Sequence, residues 1–351
     1  MVTTFIRRLC GHIGQLASFR IHSSAMRPLK NLVITDGLEP PLDEAATIMA
    51  VELIESLPAG TLLLNRTCTP FPLGDDVEVI HVPTGNTPVA KFSSYVIFAL
   101  MSFYLASCRR PNITHYLPLC APGIIRQLHA RLLSIVCNRF TEVLFQIPSI
   151  SQVQRKLMQF DITVPSATDW DTLIASGIRN VSLIPPTPKS PRKRVYNREQ
   201  LRIQYGFALH DHIISHVGHA TPGRGLDFII RLAARRPKIQ WLVVVSSRAR
   251  QDLGPLPRNI TLLTQFVEDI YEIYYLSDGY IFPLKLGSAA VSTPLSLLEA
   301  AKANIFIICS DVPSFRQTLD RYERVTFLNM SDEATALEKA VEEIDRWLVR
   351  S

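Results

Sequence analysis

The sequence predicts an α/β protein with two parallel-sheet domains, and three observations support this. Apolar runs of strand length alternate with helical patterns along most of the chain, an order typical of parallel sheets covered by helices on both faces. The chain has 351 residues, of which 47% are hydrophobic, enough to fill two cores. A stretch rich in proline and basic residues, 185–194, has the composition of a stiff linker between the domains.

The first half contains a predicted strand at 32–35 and a predicted helix at 44–57, whose apolar residues recur with a helical period. Further short strands are predicted at 61–64, 77–80 and 143–145. The longest apolar segment, from Phe92 to Cys108, is interrupted by serines. No stretch reaches the roughly 18–20 apolar residues that a membrane span requires. The segment is therefore interpreted as a buried helix, with an interfacial helix as the alternative.

The second half carries the first predicted ligand-binding element, at 218–225. A buried strand at 213–217 runs directly into this glycine-rich turn, and a helical pattern begins at Leu226. Glycines let backbone N–H groups approach an anion, and the positive end of the helix adds to the attraction. Arg224 is always charged and can hold two phosphate oxygens. The turn is therefore predicted to bind a diphosphate through Gly218, His219, Gly223, Arg224 and Gly225.

A second predicted ligand-binding element follows downstream. A short strand at 279–282 ends in proline, and after a loop a helix begins near Leu295. Glu299 lies about one turn into this helix, where its charge is favourable to the helix dipole. Its carboxylate can accept hydrogen bonds from two sugar hydroxyls. The N–H groups of Leu295 and Ser296 are predicted to contact phosphate.

Four motifs in this order, at 217–225, 274–278, 294–300 and 310–314, resemble the retaining, nucleotide-sugar-dependent glycosyltransferases of family 4 (glycosyl transferases group 1). The resemblance implies the GT-B fold, with two Rossmann-like domains whose parallel sheets face a central cleft. It also implies transfer of a sugar from a UDP- or GDP-sugar to an unknown saccharide or lipid-linked acceptor with retention of configuration. The donor is then a substrate, and neither a metal nor a cofactor is expected.

The resemblance assigns further residues. Phe266 and Val267 match the position where the family seats its base, with simple core packing as an equal alternative for Phe266. In the first half, His115 follows a possible strand and resembles a histidine near the family's cleft, where it would touch the transferred sugar. With Arg224 and Glu299, His115 completes the predicted catalytic set.

Two substitutions lead to rival hypotheses. The family carries two glutamates seven residues apart; Glu299 matches the second, but the first position holds Val291. A basic residue often follows the first glycine of the turn, and here it is His219. The main alternative is a catalytically silent GT-B scaffold that binds a nucleotide or a protein partner. A sugar-nucleotide epimerase on the same fold is a third interpretation.

The family's two-domain plan places the boundaries as follows. The predicted segments are an N-terminal extension at 1–25, an acceptor domain at 26–186, a linker at 187–194, a nucleotide-sugar-binding domain at 195–334 and a final helix at 335–351. In GT-B proteins such a helix often crosses back to the first domain.

The charge of the chain is uneven. Its formal net charge is +6, but residues 1–35 carry five bases and no acid. The basic balance therefore does not indicate a nucleic-acid partner. The N-terminal segment is interpreted as a disordered extension, with mitochondrial targeting as the alternative. The expected location is the cytoplasm, or the cytoplasmic surface of a membrane.

Three other residue groups bear on possible sites. Arg126, His129, Arg131 and Arg139 are interpreted as the basic outer face of an amphipathic helix, with contact to anionic lipid as the alternative. The cysteines show no paired spacing, so free thiols in a reducing compartment are expected. The histidines at 210, 212 and 216 share one strand face but have no paired acid, so no metal site is predicted.

Overall fold

The structure is a computed structural model. It describes residues 29–40, 45–69, 73–74, 76–119, 123–147, 150–188, 190–192, 195–219, 222–245, 255–285 and 294–350. The predicted extension at 1–25 and Val291 lie outside these residues. The chain divides into two compact units. Unit 1 contains the described residues of 29–40, Ala50–Thr163 and Ser176–Val181; unit 2 contains those of 45–49, Val164–Ala175 and 182–350.

The observed division differs from the predicted boundary at 186. Residues 164–175 belong to unit 2 and residues 176–181 to unit 1, so the chain passes between the units more than once before the proline-rich stretch. The final helix is part of unit 2.

Unit 1 is built around a parallel sheet. Its strands are β1 Asn31–Asp36, β2 Thr61–Thr67, β3 Val77–Pro83, β4 Ile113–Pro118, β5 Phe140–Val143, β6 Asp161–Val164 and β7 Val181–Leu183. Their order is β3-β2-β1-β4-β5-β6-β7. β1 is central and buried along residues 31–35, as its apolar run predicts. The strand predicted at 143–145 lies three residues earlier, because Leu144 and Phe145 follow β5 instead of forming it.

The helices of the first half are α1 Ala45–Ser56, α2 Pro88–Arg109, α3 Ile124–Val136 and α4 Gln152–Leu157. The crossovers β3-α2-β4 and β4-α3-β5 run in the same direction across the sheet. Because such crossovers are right-handed, α2 and α3 lie on one face of the sheet. They also pack directly against each other.

Two predictions about these helices are wrong. The segment Phe92–Cys108 is not a buried helix: α2 buries only a stripe that includes Ser94, Phe98 and Ser102. By length and composition alone, α2 is the one helix in the described part of the chain that is apolar enough to cross a membrane. The outer face of α3 is apolar, not basic, and includes exposed Leu128 and Leu132.

Unit 2 repeats the same architecture. Its elements are α5 Ala167–Ala175, α6 Arg198–Gln204, β8 His212–Gly218, α7 Leu226–Arg235, β9 Ile239–Val245, β10 Ile260–Leu263, α8 Tyr271–Leu276, β11 Gly279–Phe282, α9 Leu295–Lys302, β12 Phe306–Ser310, α10 Pro313–Thr318, β13 Val325–Leu328 and α11 Glu333–Arg350. The strand order is β10-β9-β8-β11-β12-β13, all parallel. The order in which strands are added therefore reverses between β8 and β11. Ligands of such folds bind at this point.

The long helix α11 packs on α7 within unit 2. Buried Leu337, Ala340 and Ile344 join the core formed by α7 and β9. Ion pairs connect the outer sides of the two helices, for example Arg231 to Glu333. Helix α11 therefore closes one face of the unit 2 sheet, which holds α7 and the turn before it in place.

Candidate functional site

The turn after β8 follows the predicted form. β8 ends at Gly218, a 3-10 turn occupies Pro222–Arg224, and α7 begins at Leu226. The helix N-cap is Gly225 in the left-handed conformation. The N–H of Lys285 donates to the carbonyl oxygen of Gly223 at 2.9 Å, so the turn is tied to the segment that follows β11. The start of α7 therefore lies at the point where the strand order of unit 2 reverses.

Arg224 is half-buried in this turn. Its charge interacts with two side chains below the turn, the imidazole of His216 and the hydroxyl of Tyr280, and it lowers the pKa of both. His219, directly after β8, also acts on His216. Arg224 and the N-terminus of α7 thus place positive charge at the carboxyl edge of the sheet.

His216 lies beneath the turn and is fully buried. Its Nδ1 is 2.9 Å from the carbonyl oxygen of Ile281, and because a carbonyl only accepts, Nδ1 carries the proton. Burial lowers the pKa of His216 to about 4, with the Arg224 charge adding to the effect. Its Nε2 has no hydrogen-bond partner among the described residues, and a Cβ on Gly218 would lie 3.2 Å from it. His216 is therefore a neutral support of the turn.

Helix α9 supplies the second predicted element. Pro294 is its N-cap, and Leu295 and Ser296 form its first turn. Glu299 is buried, and the hydroxyl of Tyr274 on α8 donates to its Oε2 at 3.0 Å. Burial, together with the nearby Glu299 charge, keeps the pKa of Tyr274 well above its ordinary value. Tyr274 is therefore a neutral donor that holds the Glu299 carboxylate in one orientation.

Tyr280 on β11 joins the two elements. Its hydroxyl donates to the carbonyl oxygen of Val217 at 3.3 Å, and the nearby side chain of Ser296 lowers its pKa. Burial has the larger effect and raises it. The charges of Arg224 and Glu299 both act on this hydroxyl, in opposite directions. The structure thus brings the glycine-rich turn and the start of α9 to one place, as their sequence order predicts.

Phe266 and Val267 lie beside a pocket of unit 2. More than half of the Phe266 side chain, 55%, is exposed, so the core-packing interpretation of this residue is wrong. The pocket is lined by Arg192, Gln204, Tyr205, Leu263, Gln265, Phe266, Val267, Glu268, Asp269 and Glu272. An exposed ring at the rim of such a pocket is suited to stack on a flat ligand group.

His115 does not follow a strand. It lies inside β4, opposite Val33 on one side and Thr141 on the other. Burial lowers its pKa. Ligands of such sheets bind beyond the carboxyl ends of the strands, and three residues of β4 still follow His115. Its position gives no support to a contact with the transferred sugar.

A charge cluster at the carboxyl edge of the unit 1 sheet was not predicted from the sequence. The guanidinium of Arg66 donates to both carboxylate oxygens of Asp36, at 2.8 Å and 2.9 Å. Arg126 donates to the same carboxylate at 2.7 Å, so this arginine faces the sheet edge and not the solvent side of α3. Asp36 ends β1, beside β4, where the sheet order of unit 1 reverses. The only sequence signal was an acid at the end of the first strand.

A metal centre is not found in the part of the chain that the structure describes: no three His, Cys, Asp or Glu residues are grouped as metal ligands there. Of the three histidines that share one strand face in the sequence, His216 is buried below the turn, and His212 packs edge-on against Trp347 with ring centroids 5.6 Å apart.

Comparison with known proteins agrees with this geometry. The family model described as "Glycosyl transferases group 1" matches residues 211–345. The matched segment contains the glycine-rich turn, Phe266, Tyr280 and helix α9. A search of the curated proteins finds no match.

Several solved structures share the fold across both units. Sucrose-phosphate synthase from Thermosynechococcus elongatus is 16% identical, with a TM-score of 0.70 over 90% of this chain and 89% of that chain. HepE from Anabaena, solved in complex with UDP-glucose, is 14% identical, with a TM-score of 0.62 over 90% of each chain. WaaG, a glycosyltransferase involved in lipopolysaccharide biosynthesis, is 13% identical, with a TM-score of 0.65 over 90% of each chain.

At these identities the likeness establishes the architecture, and the predicted α/β fold with two Rossmann-like domains is confirmed. The chain has the GT-B fold, and its residues 211–345 match the glycosyl transferases of group 1.

Proposed function

We propose that this protein is a retaining glycosyltransferase that moves a sugar from a nucleotide diphosphate to an acceptor. The observation that carries the proposal is the junction at Tyr280, where the glycine-rich turn meets the start of α9. This hydroxyl donates to the carbonyl oxygen of Val217 from the first element, and Ser296 and Glu299 from the second act on its pKa. The geometry puts a fixed cation, two helix N-termini and a buried carboxylate at one edge of the sheet.

The departing diphosphate is the charge that this edge is suited to stabilise. When the bond between sugar and diphosphate breaks, negative charge develops on the leaving phosphate oxygens. Arg224 and the N–H groups at the start of α7 and α9 are held in place by the fold, so they need no reorganisation at that moment. Fixed donors of this kind lower such barriers substantially. This arrangement assigns the turn residues Gly218, His219, Gly223 and Gly225, and Leu295 and Ser296 of α9, to phosphate binding.

Glu299 is assigned to the donor's ribose. Its carboxylate is oriented by Tyr274 and is buried, which strengthens any hydrogen bond it accepts. A carboxylate has room for several donors, so it can accept the two hydroxyls of a ribose while it keeps Tyr274. The nucleobase is assigned to the ring of Phe266 and the backbone of Val267.

The solved structures of similar fold support one class of donor and one class of acceptor. HepE was solved with UDP-glucose, which supports a UDP-sugar; a GDP-sugar is the second donor class. WaaG is involved in lipopolysaccharide biosynthesis, which supports a saccharide or lipid-linked acceptor. Retention is proposed from the resemblance to family 4. The reaction is proposed to need no metal and no cofactor, because Arg224 and the helix N-termini supply the positive charge.

The first test is calorimetric titration of UDP, GDP and ADP into the full chain and into Arg224→Ala. One nucleotide is expected to bind, and the variant is expected to bind it at least tenfold more weakly. Arg235→Ala is the matched control, since Arg235 is exposed in the last turn of the same helix. Equal binding by wild type and Arg224→Ala would contradict the assignment.

The second test separates the enzyme from the silent scaffold. Sugar donors of the bound nucleotide are incubated with the protein, and release of the diphosphate is followed with and without saccharide acceptors. Turnover, with the product anomer identified by NMR, supports the transferase. Nucleotide binding without turnover of any donor supports the scaffold, which Val291 favours. Free epimerised sugar formed without an acceptor supports the epimerase.

A further inference from the structure

Helix α2 of unit 1 buries Phe98, Leu105 and Ala106 beside two serines, and its outward side is apolar as well. The outward side of a soluble helix is normally polar, but here it exposes Val89, Phe92, Val96, Ile97, Leu100 and Tyr104. The two buried serines are Ser94 and Ser102. Between Lys91 and Arg109 the helix has no charged residue.

The polar contacts of the buried stripe fix this orientation. The hydroxyl of Ser94 donates to the carbonyl oxygen of Pro83 at 2.8 Å. Ser102 Oγ is 2.7 Å from Nε2 of His129 on α3, and burial lowers the pKa of His129 to about 4, so this ring is neutral. Rotating α2 to bury its apolar side would break these contacts and expose the serines instead.

Helix α3 also has an apolar outward side. It buries Gln127 and His129 together with Ala130 and Leu133. The exposed residues are Ile124, Ile125, Leu128, Leu132, Ile135 and Val136. Because α2 and α3 pack against each other on one side of the sheet, their outward sides adjoin. We call these twelve exposed residues of the two helices the apolar face. It extends for about 23 Å along α2, from Val89 to Tyr104, given 1.5 Å per helical residue.

Along the chain, the charges of the segment that carries the apolar face have one sign. Residues 79–141 contain six bases and no Asp or Glu. Lys91 lies at the first turn of α2, and Arg109 and Arg110 lie at its end. Of the two acids that flank this segment, Glu142 is fully buried in β5 and Glu78 is exposed on β3, and Asp36 pairs with Arg126. A surface that is apolar in the middle and basic at its margins complements anionic lipid, which accepts apolar side chains and attracts bases.

We propose that the apolar face docks unit 1 on an anionic lipid bilayer, with α2 and α3 lying in the plane of the interface. A span by α2 is disfavoured, because Ser94, Ser102 and His129 hold the helix on the sheet. A second copy of the chain is disfavoured as the occupant, since a symmetric contact would bring the same bases together without acids to pair with them. Docking is independent of the proposed transfer reaction and is measurable without a donor.

The test is flotation of the full chain with vesicles. One set is phosphatidylcholine alone and the other is an equimolar mixture of phosphatidylcholine and phosphatidylglycerol. The protein is expected to float with the anionic vesicles, at least tenfold more than with the neutral ones and less at high salt. No flotation with anionic vesicles would overturn the proposal.

Two variants locate the contact. The triple variant Phe92→Ser, Ile125→Ser and Ile135→Ser is expected to lose at least tenfold of the vesicle binding while it keeps its melting temperature, because these side chains are largely exposed. The matched control is Ile203→Ser, Leu209→Ser and Val349→Ser, three exposed apolar residues of unit 2, which is expected to bind as wild type. Should the first triple variant fail to fold, Lys91→Glu with Arg110→Glu is expected to remove the preference for anionic vesicles.

Two outcomes would assign the binding elsewhere and overturn the proposal. Vesicle binding that survives in the triple variant but disappears on removal of residues 1–25 would place the contact in the N-terminal segment. A wild-type dimer in sedimentation that becomes a monomer in the triple variant, without any vesicle binding, would make a second copy the occupant.

Discussion

The backbone of Gly225 passes so close to Pro283 that no side chain fits between them. A Cβ at residue 225 would lie 2.0 Å from the carbonyl oxygen of Pro283 and 2.8 Å from its Cγ. The φ of Gly225 is also +74°, a conformation that side chains disfavour. This contact presses the start of α7 onto the segment after β11, so the geometry of the glycine-rich turn depends on a residue without a side chain.

Gly225→Ala is therefore expected to lower the free energy of unfolding by about 3 kcal/mol. Of this, roughly 1–2 kcal/mol comes from the left-handed backbone, and the rest from displacing Pro283. Nucleotide binding is expected to fall below detection, because the turn and α7 shift together. Urea unfolding followed by circular dichroism and calorimetric titration would measure the two effects.

Gly206→Ala is the matched control for this change. Gly206 has a similar φ of +81°, and a Cβ there would meet nothing within 4 Å. Gly206→Ala is expected to lower the free energy of unfolding only by the backbone contribution, roughly 1–2 kcal/mol, and to keep nucleotide binding. Equal losses in the two variants would show that the close approach at Pro283 is not rigid.

Phe266→Ala tests the assignment of the nucleobase. Stacking of a base on an aromatic ring contributes roughly 1–3 kcal/mol, so nucleotide affinity is expected to fall by about tenfold or more. Stability should hardly change, because the ring is largely exposed. Ile203→Ala, at an exposed apolar residue of α6, should leave both quantities unchanged. Unaltered affinity in Phe266→Ala would place the base elsewhere.

The sequence predicted those parts of the site that are continuous in the chain. The buried run of β8, the glycines after it and the helical period of α7 are local signals, and the structure places them within a residue or two of the prediction. Glu299 was found for the same reason, since it belongs to the helix that follows a proline. Each of these motifs depends on neighbours only a few positions away.

The residues that support the candidate site could not be predicted, because their partners are distant in sequence. Tyr274 meets Glu299 across 25 positions, and Tyr280 meets Val217 across 63. The faces of α2 and α3 were misjudged for a related physical reason. Periodicity identifies a helix and its apolar side, but it assumes that this side is buried; here Ser102 and His129 bind each other inward and leave the apolar side exposed.

Tyr274→Phe tests whether the orientation of Glu299 matters for binding. The change removes one hydrogen bond to a charged group, which is worth roughly 1.5–3 kcal/mol, and keeps the ring in the core. We expect donor-nucleotide affinity to fall roughly three- to tenfold, a ΔΔG of binding near 1 kcal/mol. Calorimetry with wild type and variant, alongside urea unfolding, separates the two effects. A loss of stability with unchanged affinity would make Tyr274 purely structural.

Glu142 offers a test at neutral pH that is independent of the site. It is fully buried on β5, its carboxylate oxygens have no hydrogen-bond partner among the described residues, and burial raises its pKa to about 8. The folded protein therefore keeps a proton that the unfolded chain releases near pH 4.5, so stability is full below that pH and falls as the pH rises toward 8. Within this range the free energy of unfolding decreases by up to about 1.4 kcal/mol per pH unit.

The effect of Glu142 on stability is best measured between about pH 6.5 and 8. Burial lowers the pKa of His129 and of His216 to about 4, so both contribute stability that is lost as the pH falls from 6.5 toward 4 and is complete above 6.5. Glu142→Gln removes the group that titrates in the window. Urea unfolding at several pH values is expected to show a falling stability for wild type and a flat one for the variant. Glu78→Gln, at an exposed residue of β3, should keep the wild-type slope; a slope that persists in Glu142→Gln would mean that another group causes it, and a flat wild-type profile would mean that Glu142 is ionised in the fold.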